Sequence, residues 1–383
     1  MTQLTGDWLT NPSTQIIFRL LRNPDHRVFA VGGCIRNELL GHPVNDVDFA
    51  TDAHPHQVIA LAEKAGLKAI PTGIEHGTVT VIAGDTGFEI TTFRKDVQTN
   101  GRQAVVAYSG SLTDDAKRRD FTMNALYADQ NGQISDPLGG LADIQKQCVR
   151  FIEDPHDRIK EDYLRILRFF RFHAWFGDPS RGFDMDALAA CAELAEGLDS
   201  LSNERIGMEM RKLLMAPDPA PSVATMQQTG ILMRLLPGAT SASLAPLVHI
   251  EGGLGLPPSW LRRLACLGGE NQTDALRLSR DEWRYLKLLQ IHIGSTAELP
   301  ELAYRHGRDA AIDIITLRAA MIGAEPPSDL ISIAEHSASQ IFPIKAKDIT
   351  TGETGPALGE KLKHLENEWI ASQFRKPLKE LLA

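Results

Sequence analysis

The sequence predicts an α+β N-terminal head, a mixed sheet with helices, followed by an all-α neck, body and tail. Two observations predict it. β-branched and alternating runs crowd into the first 150 or so of the 383 residues. Beyond them nearly every segment carries helical spacing, broken by Pro- and Gly-rich stops. The expected boundaries are 1–148 for the head, 149–215 for the neck and 216–383 for the body and tail.

In chain order, RVFAV (Arg27–Val31) reads as a short buried strand ending at Gly32–Gly33, and CIRNELLG as a helix. VNDVDFA (Val44–Ala50) alternates polar and apolar residues like a strand, and HPHQVIALAEKAG is helical. GTVTVIA (Gly77–Ala83) and GFEITTF (Gly87–Phe93) are β-branched strands. The segments IKEDYLRILRFFRFHAWF, MDALAACAELAEGL, NERIGMEMRKLLM, PSVATMQQTGILMRLL, DEWRYLKLLQIHI and DAAIDIITLRAAMI follow as helices. Pro217–Pro221 and Gly252–Pro258 act as stops, and Gly352–Gly359 as a late loop.

Hydrophobic residues make up 43% and charged residues 23%, ordinary for a soluble globular chain with a substantial core. No apolar run approaches the roughly 20 residues a membrane span needs. The polar N-terminus lacks the order of a signal peptide, so the cytoplasm is the expected compartment and no membrane partner is expected. Cys34, Cys148, Cys191 and Cys266 are scattered without a C-x-x-C pair, which argues against zinc or disulfides. The net charge of −9 counts mildly against a nucleic-acid partner. Phosphate contacts need only local cations, and Lys117–Arg118–Arg119, Arg165 to Arg171, Arg262–Arg263 and Arg375–Lys376 are candidates.

Three constellations carry chemistry. In G32-G33-x-x-R36, two glycines at a strand-to-helix turn let backbone N–H groups approach a phosphate, and Arg36 adds a cation. Ten residues on, Asp46 and Asp48 lie two apart in an apparent strand, so their carboxylates share a face and suit a divalent cation. A plain turn and an exposed strand edge would give the same letters. In KRRDFTMNA, Lys117, Arg118 and Arg119 suit a triphosphate or an RNA backbone, and Asn124 a ribose hydroxyl; a solvated helix start is the bland alternative. In EDYLRILRFFRF, Glu161, Arg165, Arg168 and Phe172 fall on one stripe of a continuous helix, flanked by Asp162 and Arg171. Three arginines against two acids leave surplus cation, although a row of surface ion pairs fits too. Asp162 only accepts and Arg165 only donates, a pair that matches the Watson–Crick edge of C or A and repels U or G.

In this order the motifs VGGCIRNELLG, NDVDFAT, RRDFTMNALY, DPLGGLADI and EDYLRILRFFRF resemble those of the class II tRNA nucleotidyltransferase and poly(A) polymerase family. LSNERIGMEMRKLL (Leu201–Leu214) adds to the likeness, which is strong over 28–240 and thin beyond. The resemblance implies that Asp46 and Asp48 are catalytic ligands of Mg²⁺. It implies nucleotide-binding roles for Gly33, Arg36 and Arg119. It makes Asp162, Arg165, Arg168 and Arg171 the protein template that reads the base and holds its phosphates. Asn37 stands where an acid is more usual after the arginine, with little consequence expected. Either Glu89 or Asp120 is a candidate third carboxylate.

PTGIEHGTVTV (Pro71–Val81) looks like the bacterial CCA-adding branch. The connector Phe93–Ala116 has the length of the flexible loop that switches such a site from C to A. The implied partners are tRNA, through its 3′ end and acceptor arm, and ATP and CTP. The implied reaction is CCA addition by a nucleotidyltransferase. A poly(A) polymerase on the same scaffold and a non-catalytic RNA-binding protein are the alternatives. The sequence leaves the oligomeric state open.

Overall fold

The computed structural model describes residues 3–22, 26–100, 103–349 and 355–382. They belong to two compact units, Met1–Ile231 and Leu232–Ala383. Among the described residues the first unit contains nine strands: β1 (Val28–Val31), β2 (Asp48–Thr51), β3 (Lys68–Gly73), β4 (Thr78–Ala83), β5 (Thr86–Thr92), β6 (Arg94–Asn100), β7 (Gln103–Tyr108), β8 (Tyr127–Ala128) and β9 (Ile134–Ser135). Seven of them form one mixed sheet in the order β3-β4-β5-β2-β1-β8-β9. β2 and β5 run parallel and the other neighbours antiparallel.

Alternation decides which side chains the sheet buries. Val79, Val81 and Ala83 of β4 point inward, and their neighbours are only half-buried. The helices Pro12–Leu21 and Pro55–Lys64 cover this face with Ile17, Phe18, Leu21, Val58 and Ala62. Phe49 sits edge-on between Phe18 and Phe88, 5.0 and 5.8 Å away. A second cluster gathers Val31, Ala50, Phe93, Ala116, Ala125, Tyr127 and Ile152. Phe121 joins it to the helical neck by meeting Phe151 and Phe172, each at 4.9 Å.

The structure departs from the sequence reading at five places. Asp46 lies in the loop before β2, which begins only at Asp48. The connector after Phe93 is largely β-structure: β6 and β7 pair as a ribbon, and residues 101–102 lie outside the described set. The stretch read as one helix from Ile159 is two, Pro155–Glu161 and Leu164–Phe176. The helix Ala220–Gln228, expected in the body, belongs to the first unit. Within the expected loop Gly352–Gly359, the helix Pro356–Ala371 already begins at Pro356, and residues 350–354 lie outside the described set.

Among the described residues no strand follows β9, and the second unit is helical. Arg262 and Arg263 are not surface phosphate contacts, being only 4% and 1% exposed. Arg262 donates to Glu251 Oε1 at 2.8 Å and Asp313 Oδ1 at 2.7 Å, and Arg263 donates to Glu251 Oε2 at 2.7 Å. Tyr285 donates to the other Asp313 oxygen at 2.8 Å. Two guanidiniums and two carboxylates therefore neutralise each other inside the unit, as buried charge requires. The four cysteines are free; Cys34, Cys191 and Cys266 are buried and Cys148 is partly so. No helix among the described residues is long and apolar enough to cross a membrane.

Candidate active site

The apolar β1 strand ends in Gly32, whose φ of 76° and ψ of −113° lie where a side chain is strained. That turn starts the helix Gly33–Leu39 beside β2. A cleft of about 440 Å³ opens there, between the head and the Leu164–Phe176 helix. Gly33, Arg36, Asp48, Arg119 and Asn124 line it from the head, and Asp162, Arg165 and Arg168 from the neck. Eight of the ten expected site residues thus meet at one cavity. Asp46 and Arg171 stand just outside the lining.

Asp48 is accessible from the cleft, yet protein surrounds enough of its carboxyl to desolvate it. That desolvation, with the negative charges of Glu89 and Asp46 opposing the cation of Arg119, pushes its pKa up to about 6. The pairing Phe49↔Ile90 puts the preceding residues, Asp48 and Glu89, at adjacent strand positions. Asp120 belongs to a different group. Burial would raise its pKa, but Arg168, Asn124 and the Phe121 N–H hold it far below the usual carboxylate range.

Among the described residues no three His, Cys, Asp or Glu side chains close around one point. A Mg²⁺-like ion needs fewer: one or two carboxylates serve when substrate phosphates and water complete the shell. Asp46 and Asp48 supply hard oxygen donors, and a divalent cation would offset the desolvation and the like charges of Glu89 and Asp46 that raise Asp48. The residues therefore fit such a group.

The cations are held by a chain of hydrogen bonds. Arg36 Nη1 donates to Asn124 Oδ1 at 2.5 Å, and Asn124 Nδ2 donates to Asp120 Oδ1 at 2.9 Å. Asp120 Oδ2 accepts from Arg168 Nε at 2.8 Å. Arg168 Nη1 lies 3.9 Å from Glu209, which accepts from Arg171 Nε at 2.5 Å. Both amide groups of Asn124 are thus engaged within the protein, which makes it a strut between Arg36 and Asp120. The surplus cation expected from EDYLRILRFFRF is largely cancelled, because Asp120 and Glu209 supply acids from other segments.

Arg119 is fixed in the same way. Asp115, fully buried, accepts from Arg118 Nη2 at 2.7 Å, Arg119 Nη2 at 3.0 Å and Tyr127 Oη at 2.7 Å. Burial raises the Asp115 carboxyl, but Arg119 and Arg118 outweigh it and hold it down to about 2. Arg36 differs from these arginines: it makes no ion pair among the described residues. It donates to amide oxygens of Asn37 and Asn124 and lies over Phe176 and Phe172, 4.1 and 5.2 Å from the ring centroids. Burial first, then the cations Arg171 and Arg168, against the acids Asp120 and Cys34, lowers its pKa to about 10.

The helix break places Asp162 and Arg165. Asp162 adopts φ −156° and ψ 106°, outside helical values. Its Oδ1 caps the next helix by accepting from Leu164 N at 3.1 Å. Tyr163 fills the break, with Gly197 against its ring: a Cβ at 197 would lie 1.9 Å from Tyr163 Cδ1. Asp162 Oδ2 accepts from Arg205 Nη2 at 2.6 Å. Arg165 Nη1 donates to Glu161 Oε2 at 2.5 Å and Arg158 O at 2.7 Å. Arg205 also lines the cleft. Together with Asp115 and Glu209, it was missed by the sequence reading, although it lies in the singled-out segment Leu201–Leu214.

A family model described as "Poly A polymerase head domain" matches residues 28–150, and one described as "Probable RNA and SrmB- binding site of polymerase A" matches 182–243. The CCA-adding enzyme of Streptococcus sanguinis (strain SK36) is 32% identical over 360 residues, covering 88% of each chain. The chain belongs to the CCA-adding enzyme and poly(A) polymerase family. The mouse mitochondrial CCA tRNA nucleotidyltransferase 1 is 39% identical over 215 residues, which span only 50% of that protein. The crystal structure of Bacillus stearothermophilus CCA-adding enzyme in complex with CTP superposes with a TM-score of 0.72 at 27% identity, covering 95% of this chain and 94% of that one. The Thermotoga maritima CCA-adding enzyme complexed with tRNA superposes at 0.68 with 18% identity, covering 100% and 98%, a likeness of fold. Enzymes of this family generally use divalent metals.

Proposed function

We propose that the chain adds CCA to the 3′ end of tRNA, using CTP twice and ATP once, without a nucleic-acid template. The observation that carries this reading is the single cleft shared by Asp48, Arg36, Arg119 and the Asp162–Arg165 break. In each cycle the terminal 3′-hydroxyl oxygen attacks the α-phosphorus in line. The O3′–Pα bond forms as the hydroxyl proton passes to water, the bond from Pα to the bridging oxygen breaks with its electron pair going to that oxygen, and pyrophosphate leaves.

Mg²⁺ is the cofactor proposed. Held by Asp46 and Asp48, it would supply charge neutralisation at the phosphates and lower the pKa of the attacking hydroxyl. The chain's own residues do the rest. Gly32 N–H donates to Leu126 O at 3.0 Å, so the turn offers the phosphates the N–H of Gly33 at the helix start. Arg36 and Arg119 bind triphosphate oxygens, and Arg168 and Arg171 extend the positive wall. Asp162 accepts from the exocyclic amino group shared by C and A, and Arg165 donates to the neighbouring ring acceptor. U and G present the opposite polarity there and leave buried groups unpaired. The body and tail, and the acceptor arm they would grip, complete the proposed complex.

The test is incubation with Mg²⁺, CTP, ATP and tRNA lacking its last three nucleotides. The expected product is three nucleotides longer, and two longer with CTP alone. A long A tail made without CTP would replace this reading with poly(A) synthesis, and no extension would reject both.

A further inference from the structure

Residue 37 was expected to matter little, yet its side chain makes a contact on each side. Asn37 Oδ1 accepts from Arg36 Nε at 3.2 Å and Nη2 at 2.8 Å. Asn37 Nδ2 donates to Pro43 O at 2.9 Å. A guanidinium can only donate and a carbonyl oxygen can only accept, so these partners fix which end of the amide is which. No other side chain of this length offers an acceptor to one and a donor to the other.

The two partners lead to different parts of the site. Arg36 lines the cleft and makes no ion pair among the described residues. Pro43 lies in the loop that carries Asp46 into β2. The Asn37 main chain already anchors the start of this loop, because its carbonyl accepts from His42 N at 2.8 Å. The His42 ring in turn meets Phe176 at 5.6 Å, the ring under Arg36. Changing the side chain alone leaves that main-chain anchor in place and removes only the link from Arg36 to Pro43.

We infer that Asn37 is a positioning residue that joins the phosphate-binding cation to the loop bearing a metal ligand, while leaving the charge of Arg36 free for the substrate. This inference rests on the proposed nucleotidyl transfer. An aspartate at 37 has the same shape and gives Arg36 a full counter-charge. It also loses the donor to Pro43 O and sets two acceptors facing each other. An alanine removes both contacts. Nucleotide affinity and divalent-cation affinity therefore fall together when residue 37 changes, and the choice of base does not.

The experiment is steady-state extension by the full-length wild type, Asn37→Asp and Asn37→Ala. KM for CTP and ATP and the half-saturating Mg²⁺ concentration are read beside the melting temperature. Both KM values are expected to rise by roughly tenfold in Asn37→Asp, the scale of one charge-assisted hydrogen bond. Half-saturating Mg²⁺ rises in both variants, with discrimination against UTP unchanged. A wild type that extends no tRNA overturns the functional reading itself. An active wild type whose variants keep KM and Mg²⁺ dependence within about twofold overturns the inference alone. A variant that only melts earlier, with both kinetic readouts unmoved, also overturns it by reducing Asn37 to a structural role.

Discussion

Replacing Glu209 with Gln keeps the shape of the side chain and removes its charge. Glu209 is only 4% exposed and serves two arginines, Arg171 at 2.5 Å and Arg168 at 3.9 Å. Breaking a fully buried pair by deleting one partner costs about 3–5 kcal/mol. Here Arg168 keeps Asp120 and is itself partly open to the cleft, so the expected loss is about 2–3 kcal/mol. For a unit of this size that lowers the melting temperature by roughly 5–10 °C. The variant also leaves two guanidiniums short of negative charge beside the proposed triphosphate site. Inorganic pyrophosphate should therefore raise the melting temperature of Glu209→Gln more than that of the wild type. Calorimetry of the full chain with and without pyrophosphate reads both quantities. A loss below about 2 °C, or an equal response to pyrophosphate, would show that Glu209 does not balance these cations.

Asp48→Asn should cut transfer by more than the roughly 100-fold typical of losing a residue one step removed from a metal; tRNA binding, read by filter retention, should stay near wild type. Cation affinity should depend on pH with a fixed sign. Asp48 is pushed up to about 6, so below that pH Mg²⁺ must displace a proton, and half-saturating Mg²⁺ should rise about tenfold per unit while staying flat above pH 7. Without cation, the same proton stabilises the fold. That stability is complete below the unfolded carboxylate range, near pH 4, and fades as pH rises through about 6. Calorimetry at pH 4.5 and 7 with a chelator checks the direction. In the second unit, Glu251→Gln removes the carboxylate that Arg262 and Arg263 share. It should cost about 3–5 kcal/mol, and a denaturant midpoint unchanged from wild type would contradict the network.

Much of the site was legible because its signals are local. A buried strand, two glycines and a helix with Arg36 one turn in determine that corner from short-range preferences alone. The two aspartates follow at a spacing that names their chemistry, although Asp46 proved to lie in the loop. The partners of the arginines were not legible. Asp120 and Glu209 come from segments 48 and 38 residues away from the arginines they hold, and no periodicity reports on such distant pairs. Residues Arg262 and Arg263 misled for the same reason: two adjacent arginines look solvated until Glu251 and Asp313 are brought to them. The helix break at Asp162 was hidden because each half keeps its apolar spacing. The packing that accompanies it, Tyr163 against Gly197, joins residues far apart in sequence.

If Asp162 reads the base as proposed, that last contact makes base choice a shared property of two segments. Gly197 does not line the cleft and meets no substrate group in the proposed complex. Even a single methyl group there would overlap the tyrosine ring, shift the turn that aims the Asp162 carboxylate, and so alter the polarity offered to an incoming base. A change of nucleotide preference in this chain would thus have a route through a position that no inspection of the binding surface would select.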